Sequence, residues 1–150
     1  PEKPRVLVQI YKENHSHHFV SQSGAFALNF LSLGSAELIR TFGFSSGKYI
    51  NKLENIPYFT KITGCPILDN CVAYLDCKVI NAMDCGDMTC YLAEVLDGQT
   101  FQNISLLRIR EAREAMPVAW NTEWDHHNLN SINTSRKIID NISYVPWHTI

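Results

Sequence analysis

The stretch CVAYLDCKVINAMDCGDMTCYLAEVLDG, residues 71–98, decides the fold. Cys71, Ala73, Leu75, Cys77 and Val79 alternate with Val72, Tyr74, Asp76, Lys78 and Ile80, the pattern of a long strand with one apolar and one mixed face. Cys85-Gly86-Asp87 supplies turn chemistry and Thr89 to Leu96 returns as a second strand, so 71–97 reads as a β-hairpin. Asp97-Gly98 predicts a further turn that closes it. A two-stranded hairpin is only marginally stable alone, so the flanking sequence must supply its partners.

Towards the N-terminus, Val6, Val8 and Ile10 alternate with Leu7, Gln9 and Tyr11 and predict a strand ending near Lys12. Ser16 is placed to cap a short helix through His17 to Ser23, with Gly24 at its left-handed C-terminal cap. Ala25 to Ser32 is apolar on both alternations and predicts a mostly buried strand, inside which Asn29 needs a hydrogen-bond partner. Ser35 is positioned to cap a second helix with Leu38, Ile39 and Phe42 at helical spacing, ending at Gly43. Phe44 to Lys48 forms a small polar loop, followed by Tyr49 to Leu53 and a second loop around Pro57.

Beyond the hairpin, Arg108 to Met116 predicts a helix supported by an Arg110–Glu114 pair and ended by Pro117. Trp120, Trp124 and Trp147 then sit among Asn, Ser and His residues, a composition of a wrapping arm rather than a core element. Several strands, few helices and one long hairpin indicate a β-rich barrel or sandwich with short helices inserted.

The chain of 150 residues, 45% hydrophobic, is long enough for one core and too short for two ordinary domains. A net charge of -2 offers no broad basic surface, which argues against nucleic-acid binding. No apolar run approaches the roughly 20 residues of a membrane helix, so a soluble protein is expected. Five cysteines without a C-x-x-C pair fit neither a disulfide framework nor a zinc ribbon. They are expected as free thiols that pack as small hydrophobes in a reducing cytoplasm. His15-x-His17-His18 and Asp125-His126-His127 carry ligand-type side chains but no helical i, i+4 pair, and read as solvated rather than metal-binding. Pro1-Glu2-Lys3-Pro4 lacks the pattern of a secretory signal and reads as the interior of a longer chain.

Five motifs in order resemble the flavin reductase-like FMN-binding split barrels, flavoredoxins included. They are Pro4 to Ile10 with Lys12 and Ser16; Ser23-Gly24 with Phe26, Asn29 and Leu31; Phe42-Gly43-Phe44-Ser45-Ser46-Gly47 with Lys52; Gly64 to Leu68; and Tyr74 to Val79. The resemblance covers about residues 4 to 98. It implies a mainly β Greek-key split β-barrel that works as a homodimer, with FMN near the subunit interface, reduced by NADH or NADPH or by a protein donor. On that reading residues 1–100 form the split barrel without the family's N-terminal strand region, and 101–150 form a helical or irregular extension packing on or between subunits.

FMN has a phosphate, a polar ribityl chain and an apolar ring, and the resemblance points to two loops for it. Lys12, Asn14, His15 and Ser16 combine positive charge with a helix start that welcomes an anion. Phe44, Ser45, Ser46, Gly47 and Lys48 add hydroxyls, close backbone approach and a second charge, with Lys52 following. On the residues alone, the same groups also read as a capped helix, a solvated lysine and an ordinary turn. The loop lacks P-loop spacing, so it is not read as an ATP or GTP site. Phe42, Phe44 and Trp124 either cover the ring or belong to the core.

One departure bears on activity. Many relatives carry Asp-His in the hairpin turn, where this chain has Asp87-Met88, and methionine neither donates a strong hydrogen bond nor carries charge. The expected function is an FMN flavoprotein passing electrons from a nicotinamide or protein donor to free flavin, ferric iron or a small redox protein. The alternative is a non-catalytic split-barrel module used for assembly.

Overall fold

The computed structural model describes residues 2–101 and 105–143. Its elements are β1 (Arg5–Tyr11), α1 (His15–Ser23), β2 (Ala25–Phe30), a single 3-10 turn at Leu33–Ser35, α2 (Ala36–Gly43), β3 (Tyr58–Phe59), β4 (Ile67–Leu68), β5 (Ala73–Asp84), β6 (Met88–Thr100), α3 (Ile109–Ala115) and α4 (Val118–Ile139). The expected hairpin is β5–β6, and it forms the centre of a four-stranded antiparallel sheet in the order β1-β6-β5-β2. β3 and β4 make a separate two-stranded ladder. The fold is mainly β, a curled half-barrel sheet with inserted helices, as the resemblance implied.

Curling has a local cause. The β5–β6 register slips between Asp76 and Cys77 and again between Val79 and Asn81, and such bulges bend the strand and increase its twist. One side of β1 and the far end of β5 stay exposed, while the centre of the sheet packs on both faces. On one, Phe26, Cys77, Tyr91 and Ala93 pack with Val20 of α1, and Val6, Val8, Leu75 and Val79 lie against them. On the other, Tyr74 packs with Ile67, Leu68 and Cys71, and Leu38 and Phe42 of α2 close over them. Alternation along β2 and β5 therefore feeds two cores, which explains why the predicted mixed face of β5 carries Tyr74 and Asp76 at 1% and 0% exposure.

Polar groups inside that second core are satisfied. Tyr74 donates its hydroxyl to Asp97 Oδ2 at 2.7 Å, and that bond pushes the phenol up to about 12. Asp76 accepts from both the backbone N–H and the hydroxyl of Thr63, so it ties the 60–66 loop to the sheet. Asn29 finds the partner it needs: its Oδ1 accepts from the Leu68 N–H at 2.8 Å and its Nδ2 donates to the Pro66 carbonyl at 3.4 Å. Burial and neighbouring Asp76 push the Cys77 thiol up to about 11, so it stays protonated and packs as a hydrophobe.

Four sequence expectations need correction. Helix α1 starts at His15 with Asn14 in the N-cap position, so Ser16 lies inside the first turn and does not cap it; Gly24 does occupy the left-handed C-cap at φ 65°. Ser35 stands at the N-cap of α2 without making the capping hydrogen bond, and its hydroxyl meets that of Ser32 at 3.4 Å. Asp97-Gly98 is not a turn, because β6 runs on to Thr100 with Asp97 paired to Asp76 and Gly98 to Leu75. Residues 118–139, expected as an arm, form a 22-residue helix; Trp147 lies outside the described residues. Among the described residues no helix is long and apolar enough to cross a membrane.

Gly98 is a glycine for steric reasons. A Cβ there would sit 2.9 Å from Leu75 Cδ2 and 3.1 Å from the Tyr74 carbonyl oxygen. Gly98→Ala is expected to lower unfolding free energy in urea by about 1–3 kcal/mol through overpacking. Gly43→Ala, where a Cβ meets nothing within 4 Å, is expected to stay within about 1 kcal/mol of the parent.

Candidate functional site

Helix α1 docks on β6 through one side. Val20 enters the core, Ser21 Oγ and the Tyr91 hydroxyl meet at 2.6 Å, and His17 Nε2 and Thr89 Oγ1 meet at 2.9 Å. Residues three and four apart share a helix side, so this docking turns His15 and Phe19 the other way. There the two rings meet edge-on at 4.7 Å. The β1–α1 turn is fixed from both directions, since the Asn14 N–H donates to the Tyr11 carbonyl at 3.0 Å and the Lys12 N–H to the Asp87 carbonyl at 2.9 Å.

Facing this helix start is the long loop that leaves α2. Phe44 ends the helix, its N–H donating to the Arg40 carbonyl at 3.1 Å. The Tyr49 N–H donates to the Ser46 carbonyl at 3.1 Å, and the Ser46 hydroxyl accepts from the Lys48 N–H at 3.2 Å. Lys52 folds back to donate its Nζ to the Phe42 carbonyl at 2.6 Å, so a cation sits at the negative end of α2. Burial lowers the Lys52 ammonium below its ordinary value. Gly47 lies where the loop and α1 meet: a Cβ there would be 3.5 Å from His15 Cδ2 and 4.0 Å from Lys52 Cε.

Between the two walls runs a groove of about 1010 Å³. Of the ten residues singled out from the sequence, nine line it: Asn14, His15, Ser16, Phe44, Ser45, Ser46, Gly47, Lys48 and Lys52. Lys12 does not line it, because its Nζ is engaged by Asp84 Oδ1 at 2.6 Å. At the start of α1, which lines the groove, the N–H groups of His15 and Ser16 donate to no acceptor among the described residues, and Asn14 makes no side-chain cap. Such uncapped first-turn amides are the donors that bind anions at helix starts.

Sequence reasoning missed Phe19, Pro66 and His127, which also line the groove. Phe19 follows His15 by one helical turn, a signal that was present in the spacing. His127 had none, since it arrives from α4. Phe44 meets Trp124 edge-on at 5.9 Å and His127 at 6.4 Å, and the Arg40 guanidinium lies 5.1 Å over Phe44 and 4.7 Å over Trp120. Arg40 also pairs with Glu123 at 3.0 Å. This aromatic and cationic cluster holds α4 against the loop.

A second concavity of about 760 Å³ lies between β2 and α3, lined by Phe30, Leu31, Ile39, Leu106 and Glu111 among others. The Glu111 carboxylate there accepts from the Arg108 N–H at 2.8 Å as the cap of α3. The first groove gathers nine of the ten residues singled out from the sequence and is the candidate site. Among the described residues no group of three or more His, Cys, Asp or Glu stands close enough to hold a metal ion.

The flavin reductase like domain matches residues 1–117, and the chain belongs to that family. It is 31% identical over 105 residues to a ferric-chelate reductase (NAD(P)H) of Archaeoglobus fulgidus, covering 69% of this chain and 62% of that protein. It is 31% identical over 98 residues to a high molecular weight rubredoxin of Moorella thermoacetica, covering 64% of this chain and 43% of that one. The chain thus spans less than two thirds of the length of either relative. In structure it is similar to flavoredoxin from Methanosarcina acetivorans, with a TM-score of 0.64 at 18% identity over 75% of this chain and 62% of that one. The NADH:FAD oxidoreductase of Streptomyces globisporus has the same TM-score at 22% identity, over 69% of this chain and 62% of the other.

The Lys12–Asp84 pair gives a pH-dependent readout beside the groove. The Lys12 ammonium bonded to Asp84, helped by the Gly86 N–H at 2.7 Å, holds this carboxyl below the usual aspartate range. A depressed carboxyl stabilises the fold above its unfolded pKa, and that contribution is lost as pH falls through the folded value. It is small, since the pair is exposed. Carboxyl-detected NMR should place the Asp84 midpoint below that of an ordinary aspartate, and Lys12→Met should raise it; an unchanged midpoint would mean that the pair does not form in solution.

Proposed function

We propose that this member of the flavin reductase-like family binds FMN in the groove between α1 and the 42–53 loop and serves as an electron-transfer flavoprotein. The observation that carries the reading is the meeting of nine residues from two separate sequence segments, 14–16 and 44–52, on one groove that also holds the uncapped first turn of α1. The donor set fits the cofactor. His15 and Ser16 amides, the Ser45 and Ser46 hydroxyls and the Lys48 charge suit a phosphate and a ribityl chain, while Phe19 and Phe44 offer apolar surface for a ring. Gly47 leaves open the space beside His15 and Lys52.

When bound, FMN supplies reversible one- and two-electron chemistry. The protein's part is positional. Lys52 braces the loop from the Phe42 carbonyl, and the Phe44, Trp124 and His127 cluster shields one wall from water. The donor is a nicotinamide or a protein, and the acceptor free flavin, ferric iron or a small redox protein. Met88, paired with Tyr11 at the start of β6 where many relatives carry histidine, brings neither acid nor charge, which favours a protein donor over direct NADH or NADPH oxidation. A homodimer is part of this reading: Leu7, Ile80 and Met83 are exposed strand side chains that a second copy would cover. The free thiols suit a reducing compartment such as the cytoplasm.

FMN fluorescence titration of the purified chain should show saturable quenching, and Gly47→Val should weaken it at least about tenfold, roughly 1.4 kcal/mol, with unfolding unchanged. Unquenched FMN would reject the flavin reading. Stopped-flow mixing of the FMN-loaded protein with NADH and with NADPH then separates the roles. Slow bleaching alongside rapid reduction by dithionite is expected of a carrier served by a protein donor, whereas rapid bleaching by either nucleotide would identify a nicotinamide-dependent reductase.

A further inference from the structure

Two thiols meet at the tip of the β5–β6 hairpin. Cys85 Sγ lies 3.4 Å from Cys90 Sγ, and both are free. Cys90 is buried, while Cys85 is half-buried and open to small reagents. The backbone between them is held: the Cys85 N–H donates to the Met88 carbonyl at 2.9 Å, and Cys90 is paired in the ladder with Gln9 on one side and Met83 on the other. The other buried cysteines lie away from this tip, Cys77 in the core beneath α1 and Cys71 in the core beneath α2.

We propose that Cys85 and Cys90 form a redox-responsive dithiol that closes to an intramolecular disulfide by exchange with a small-molecule disulfide. Closure brings the sulfurs from 3.4 Å to about 2.0 Å. Cys85, the accessible partner, attacks one sulfur of the small disulfide as its thiolate, forming a mixed disulfide and expelling the first small thiol. Cys90 then attacks the Cys85 sulfur and expels the second. The pair loses two electrons and two protons, and the small disulfide is reduced to two thiols. The hydrogen bond with Cys90 and partial burial push the Cys85 thiol up, so the resting thiol is protonated and exchange proceeds through its thiolate fraction.

The location couples this chemistry to two neighbours. Asp84, adjacent to Cys85, holds Lys12 at the base of the β1–α1 turn. Gly86 lies beneath the end of α4, where a Cβ would run into Ile142 Cδ1 and fall 3.9 Å from Ile138 Cγ2. Drawing Cys85 towards β6 therefore moves a turn that is clamped by both an ion pair and a helix end. The inference rests on sulfur geometry and stands independently of flavin binding.

The test uses the reduced full chain incubated with oxidised glutathione, quenched in acid, alkylated with N-ethylmaleimide and digested with trypsin. Lys78 and Arg108 bound a peptide, residues 79–108, that contains Cys85 and Cys90 alone, while Cys65, Cys71 and Cys77 share the peptide 62–78. Peptide 79–108 is expected without alkyl groups and about 2 Da lighter than its dithiol form, reverting on treatment with dithiothreitol, with 62–78 fully alkylated. Cys90→Ser should leave a persistent glutathione adduct on Cys85. A doubly alkylated 79–108 after oxidation, a lasting adduct on Cys85 in the parent chain, or a link involving 62–78 would each overturn the proposal.

Discussion

The first half of strand β5, residues 73–77, is packed on both faces, and the rest of the molecule is arranged by that constraint. Leu75, Cys77 and Val79 point into the core beneath α1, and Tyr74 points into the core beneath α2. A strand with two apolar faces cannot slip by one residue without exchanging its cores, and either exchange would drive Asp76 out of its Thr63 partners. The register with β6 is fixed further by Gly98, which admits no side chain against Leu75. Two bulges then curl the pair, turning a flat sheet into half a barrel.

The groove follows from this arrangement. Its two walls are carried by helices that pack on opposite faces of the sheet. α1 is set by Val20, Ser21 and His17 against β6, and α2 by Leu38 and Phe42 over Tyr74. Asn29 links β2 to Pro66 and Leu68, which holds the groove's rim to the sheet. The helix start of α1 and the loop after α2 are thereby held face to face, with amides and hydroxyls between them. Each wall owes its place to burial, and the chemistry is carried by the uncapped ends that burial leaves over.

Much of this was legible in the sequence, and the failures are instructive. Period-two alternation identified β1 and the hairpin, and a short run apolar on both alternations identified β2, because these strands pack against the cores. The groove residues were found through the order of the family's motifs, where composition alone read an ordinary turn. Asp97-Gly98 misled because the same dipeptide that favours a turn also fits a strand where a neighbour leaves no room for a Cβ. Helix α4 escaped because Asn, Ser, Thr and His give weak propensity and no apolar stripe. Contacts near its two ends hold it, Trp120 and Trp124 on Arg40 and Phe44, and Ile138 with the following Ile142 on Gly86. His127 and the meeting of Cys85 with Cys90 depend on tertiary placement in the same way.

The central claim is that the groove between α1 and the 42–53 loop holds the flavin's phosphate end. Amide chemical-shift mapping of the labelled chain during FMN addition tests it most directly. The account predicts saturable shifts of the His15, Ser16, Ser46, Gly47 and Lys48 amides, with Leu106, Leu107 and Ile109 beside the second concavity unmoved. Shifts gathered at the second concavity, or none at the groove, would contradict it.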